Sequence, residues 1–362
     1  MKSKLRLCAL LPMLLLCGAM LLGCAVPNGN VTEPTEHPQE SEPIETPCES
    51  AAAPEISVSP VPTQDPNLAA VDLGEYRLEA SGADDFPYLV RTPHIVWHIA
   101  ADDMELLGKE TYFAGLRKVL EVQEADIEDA IEALSGYLSE IPVIDVYTDF
   151  SGRTPKGKAG KTLLGYYMGN RIDLYVDFSV ASMALLHEYA HYLTLSCSTL
   201  RLPTGFWSEG IAEYLSRFVC KNRMARAAFS PEEVELYAKY GMTDADGNPD
   251  LGRIYRCGAE SFRSGTMNGT SYYSVGQTNR EMTQEQQEHP TLGSISYYEA
   301  GCFFNWLVER YGRDFVFTHL KCRQDEFADV FGEDFETLFI EWAAENRAWC
   351  EENGVQTVFS GQ

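Results

Sequence analysis

His187 and His191 stand four residues apart with Glu188 between them, in the run His187-Glu188-Tyr189-Ala190-His191. Residues four apart share one face of an α-helix, so both imidazoles can turn toward a single cation. Glu188 then stands beside the cation and not on it. From there a carboxylate can take a proton from a water that the cation has acidified, zinc bringing the pKa of such a water to about 7. Two imidazoles leave the site incomplete, because a tetrahedral zinc with one open position needs a third protein group.

A Gly and a third His close behind the helix is one way to complete such a site. Here Tyr192-Leu193-Thr194-Leu195-Ser196 follows, with neither residue, and Glu209 is the remaining candidate. It opens a second apolar stretch, Trp207-Ser208-Glu209-Gly210-Ile211-Ala212-Glu213-Tyr214. Glu213 falls one turn later on the same helical face, so one carboxylate can bind zinc while the other orients a ligand histidine. Glu209 is assigned to the metal and Glu213 to the histidine.

HEYAH followed at this distance by FWSEGIAEYL resembles the gluzincin metallopeptidases, and more closely the small bacterial peptidase-MA-like proteins. Their W-x-x-E-G-x-A-E-Y segment is approximated by Trp207, Glu209, Gly210, Ala212, Glu213 and Tyr214, with one residue fewer between the Trp and the Glu. The resemblance extends to the C-terminus through Tyr298-Glu299-Ala300-Gly301, Tyr311-Gly312, Val330-Phe331-Gly332 and the stretch from Phe335 to Trp349. It implies an α+β, zincin-like fold: an N-terminal mixed sheet with the active-site helix, a mainly helical C-terminal lobe, and a cleft between them. It implies one zinc ion on His187, His191 and Glu209, with Glu188 as general base for hydrolysis of peptide bonds in a peptide or protein substrate. By the same resemblance Tyr298 is the phenol that hydrogen-bonds the oxyanion, with Tyr297 and His289 as rivals. The strand bordering the cleft would pair with substrate backbone, a role assigned to Ile172 to Val176. The rival reading is a cell-surface binding module that keeps the fold without turnover.

Several elements must position these groups. Ser179 is the expected N-cap of the HEYAH helix, with Met183, Leu186 and Ala190 available to bury its other face. The turn after Pro203 breaks the chain before Trp207, and the next helix is expected to run to about Phe218. Upstream, His94 to Ile99 and Val143 to Phe150 read as strands around a mostly helical, acidic stretch from Glu105 to Leu138. Leu163 to Met168 and Arg171 to Asp177 flank Gly169-Asn170, the signature of a two-residue hairpin. This gives an N-terminal lobe over 71–200 and a C-terminal lobe over 201–362. Gly241 to Ile295 is polar with little periodicity and is expected to wall the cleft. Within it, Asp244 to Asp250 is spaced like a calcium loop, but Pro249 and Tyr255 occupy the positions that require Gly and Glu, so a polar turn is expected.

Lys2, Lys4 and Arg6 precede an apolar run from Leu7 to Leu22, which is shorter than the ~20 residues of a spanning helix. It reads as an export signal over 1–23. Leu21-Leu22-Gly23-Cys24 looks like a lipobox, which implies a lipid on Cys24 and a membrane-anchored protein facing away from the cytoplasm. From there to about Ala70, Pro, Glu, Thr and Ser without aromatics describe a disordered tether. The net charge of -26 argues against a nucleic-acid partner. Gly160-Lys161-Thr162 ends like a phosphate loop, yet Pro155 replaces the first Gly, and an exposed basic loop is expected. His94 and His98 lie too far apart along a strand to share a metal. Cys197, Cys220, Cys257, Cys302, Cys322 and Cys350 form an even set that permits disulfides in 15 connectivities or remains as buried thiols.

Overall fold

The computed structural model describes residues 71–150, 164–175, 178–202, 205–220, 223, 229, 231–239, 241–266 and 292–353. The export signal, Cys24, the tether, the Gly160-Lys161-Thr162 loop and His289 lie outside the described residues.

The chain opens with β1 (Leu78–Ala80), β2 (Tyr88–Arg91) and β3 (Ile95–Ile99), successive antiparallel neighbours. Helices α1 (Ala101–Leu107) and α2 (Lys109–Ala133) then carry it back to β4 (Ile144–Thr148), which pairs in parallel with β3. A parallel pair requires such a crossover, because a tight turn can join only antiparallel strands. β5 (Gly165–Tyr167) and β6 (Arg171–Leu174) are the expected hairpin, turning at Gly169 with φ 70. A side chain at that backbone angle would be strained, which is the reason for Gly there. Among the described residues the strands form one mixed six-stranded sheet in the order β1-β2-β3-β4-β6-β5.

That order corrects the expectation for Ile172 to Val176. β6 is hydrogen-bonded to β4 on one side and β5 on the other, so it has no free edge. The hairpin turn folds β5 over the edge that β6 would otherwise present. Among the described residues, the outermost strand nearest the helices that carry the histidines and Glu209 is therefore Gly165–Tyr167.

Helix α3 (Phe178–Ser196) contains HEYAH and packs on β5, β6 and α2. It begins one residue before Ser179, which therefore lies in the first turn and not at the N-cap. Leu185, Leu186, Ala190 and Leu193 are fully buried. Burying each leucine contributes about 1.5–3 kcal/mol, enough in sum to seat the helix firmly. α4 (Gly205–Tyr214) follows and passes into a π-helical turn, Leu215–Val219, which completes the expected run to Phe218. Then come α5 (Pro231–Lys239), α6 (Leu251–Thr266), α7 (Leu292–Tyr311), α8 (Arg313–Thr318), α9 (Phe327–Phe331) and α10 (Phe335–Glu352).

α7 packs closely along α4. A Cβ at Gly301 would stand 2.6 Å from the Cβ of Glu213, so only glycine admits this approach. Trp207 anchors the start of α4: its indole N–H donates to the Cys322 carbonyl at 2.6 Å and its ring stacks on Phe327. One continuous core runs from Leu73 to Trp342, spanning both expected lobes. The stretch expected to lack periodicity contains α6, whose Leu251, Ile254 and Tyr255 are buried at helical spacing. Asp244 accepts hydrogen bonds from the backbone N–H of Asp246 and Asn248, which makes the neighbouring segment the expected polar turn.

Candidate metal centre

His187 Nε2 and His191 Nε2 lie 3.1 Å apart, and each is 3.3 Å from Glu209 Oε2. The two histidines come from successive turns of α3 and the carboxylate from α4. Among the described residues this is the one set of three metal-ligating side chains whose donor atoms converge, and all three residues are buried. The group could hold a metal ion. His94 and His98 instead bond Glu124 and Asp145, at 2.6 and 2.7 Å.

Behind these three side chains lies a second layer of charge. His187 Nδ1 is 2.8 Å from Glu213 Oε1, and Arg217 Nε donates to the other oxygen of Glu213 at 3.2 Å. Arg217 is carried by the π-helical turn, and its guanidinium lies 5.5 Å over the ring of Tyr255. Burial works against the Glu213 carboxylate, but Arg217 and then His187 outweigh it and hold its pKa below the usual range. Glu209 is in the same position: burial raises its pKa, His191 and His187 lower it, and it settles at about 2. Two buried carboxylates thus face one permanent cation, with Glu188 a third buried carboxyl on α3. Uncompensated buried charge costs several kcal/mol per ion, so the centre needs further positive charge. A metal cation or protonated imidazoles would supply it.

Glu188 is buried against β5, where a Cβ at Gly165 would stand 3.1 Å from its Cγ. The general-base candidate thus abuts the outermost of the described strands on this side of the sheet. Leu164 accepts from the Tyr175 N–H and Met168 donates to the Arg171 carbonyl, so by the alternation of an antiparallel ladder Gly165 and Tyr167 turn their backbone groups outward.

The two tyrosines of α7 part company. The Tyr297 ring lies 6.1 Å from that of His187. Tyr298 is fully buried and stacks on Tyr255 at 4.1 Å, in the layer behind Glu213 and Arg217. Position therefore associates Tyr297, and not Tyr298, with the ligand histidines. Arg217 is not singled out in the sequence, and Tyr255 enters there only as the misfit of a calcium loop. Glu213 and Arg217 are spaced i, i+4 on one helical face, a signal that was available, whereas nothing local marks Tyr255.

Comparison with protein-family models, with curated proteins and with solved structures finds no match for this chain.

Proposed function

We propose that this protein is a zinc-dependent peptidase with a zincin-like fold and a gluzincin-type centre. We place it at the outer face of a cell membrane, held by a lipid on Cys24. The observation that carries the reading is the convergence of His187, His191 and Glu209. Donors held by tetrahedral zinc at about 2.0–2.1 Å stand roughly 3.3 Å from one another. The separations of 3.1, 3.3 and 3.3 Å match that spacing. Two imidazoles and one carboxylate are also a donor set suited to zinc.

Bound there, zinc would polarise the scissile carbonyl and acidify the attacking water. Glu188 takes the proton from that water and passes it to the departing amine. Glu213 fixes the ring of His187, leaving Nε2 as the donor toward the centre. Tyr297 is the phenol we assign to the oxyanion, on the strength of its distance to His187. An extended substrate would pair with the outward backbone groups of Gly165 and Tyr167, and the bare Gly165 leaves room beside Glu188.

The test is digestion of a diverse peptide mixture by the full chain, with and without a zinc chelator, beside Glu188→Gln, with products read by mass spectrometry. Cleavage that the chelator abolishes, zinc restores and the variant lacks is the expected result. Bound zinc without cleavage of any peptide would instead support the binding module.

A further inference from the structure

Cys257 on α6 and Cys350 on α10 share a small apolar cluster with Tyr237, Met242, Leu251 and Ile254, separate from the main core. The two helices pack together, and their register is pinned where Asn346 Nδ2 donates to the Arg256 carbonyl at 3.2 Å. Cys350 Sγ sits one turn on, 4.0 Å from that same carbonyl. Cys257, the residue after Arg256 on α6, is buried in the same cluster as Cys350. The other four described cysteines, Cys197, Cys220, Cys302 and Cys322, belong to the main core. Two of those are turned to backbone carbonyls: Cys220 to Asp126 and Cys322 to Arg323, each at 3.3 Å.

From this juxtaposition we propose that Cys257 and Cys350 form a disulfide in an oxidising compartment, joining α6 covalently to α10. All six described cysteines are free thiols in the structure, so the bond requires an oxidant, which would be a small or protein disulfide. One cysteine thiolate attacks a sulfur of that disulfide and expels one thiolate. The second cysteine then attacks the resulting mixed disulfide and expels the other, so two protein thiols are oxidised as one external disulfide is reduced to two thiols. Cys350 and burial both raise the pKa of Cys257, so its thiolate is scarce once the chain has folded. The bond therefore forms during folding and only slowly afterwards. The loop it closes contains α7, which packs on the α4 helix that bears Glu209, so the cross-link secures the support of that helix. This inference is independent of the catalytic reading.

The full chain, unfolded under reducing conditions, is refolded in reduced and oxidised glutathione, quenched in acid, alkylated and mapped by mass spectrometry. The expected map joins Cys257 to Cys350 and leaves Cys197, Cys220, Cys302 and Cys322 alkylated. Reduction of the refolded protein should then lower its melting temperature by roughly 10 °C, and should leave C257A/C350A unmoved. Alkylation of both cysteines, or a link from either to Cys302, would overturn the proposal. Should the double variant fail to fold, the wild-type peptide map decides alone.

Discussion

His187 Nδ1 approaches Glu213 Oε1 to 2.8 Å, a contact between two helices that leaves only Nε2 of this ring to meet His191 and Glu209. The partner of that carboxylate, Arg217, extends the chain of contacts into the core. Glu213→Gln keeps the shape but removes the charge, and should weaken metal binding about 10–100-fold. Competition against a chromophoric chelator measures this; an unchanged affinity would mean that the ring is held by something else.

Removing Arg217 should act on stability. Arg217→Met leaves Glu213 buried with its strongest partner gone, which costs about 3–5 kcal/mol. Chemical denaturation of the metal-free protein should show the loss, and Arg217→Lys should recover part of it.

Ligand and base should separate cleanly. His187→Ala and Glu209→Ala should lose the metal, as read by elemental analysis of the purified protein. Glu188→Gln should retain one equivalent and lose at least about 100-fold in kcat. An active Glu188→Gln would remove Glu188 from the mechanism.

The two phenols of α7 make opposite predictions. Tyr297→Phe should lower kcat by about 10²–10³-fold with little change in KM, as expected of an oxyanion donor. Tyr298→Phe should leave kcat near wild type, because its ring packs on Tyr255 behind the centre. The reverse pattern would return the role to Tyr298.

Without metal, acid should unfold the protein over a defined window. The Glu209 carboxyl sits at about 2 in the fold against an ordinary 4.5. A carboxyl made more acidic by folding contributes stability that is complete above pH 4.5 and is lost as the pH falls toward 2. The gap corresponds to a few kcal/mol. Melting temperatures of the chelated protein between pH 5 and 3 should fall more steeply for wild type than for Glu209→Gln, and equal slopes would show that the pairing is absent.

Much of the site was legible in the chain because it is built from helices, where spacing alone decides which side chains share a face. His187 and His191 had to align if their segment was helical, and Glu209 with Glu213 likewise. The hairpin at Gly169-Asn170 and the strands on either side of α1 and α2 were legible for the same local reason. α6 was missed, since Gly252 and Gly258 and its polar residues obscured the stripe of Leu251, Ile254 and Tyr255.

What the sequence determined by itself was therefore the chemistry on offer: two imidazoles, a carboxylate between them and carboxylates on the next helix. The tertiary structure decided how those groups meet. The separation of His187, His191 and Glu209 depends on how α3 packs against α4, and periodicity within one helix carries no information about that distance. Strand order likewise depends on which way a hairpin folds over its neighbour, which among the described residues puts Gly165–Tyr167, and not β6, outermost. Adjacent in sequence, Tyr297 and Tyr298 point about 100° apart around a helix, and only the packing of α7 against α4 and α6 turns one toward His187 and the other onto Tyr255.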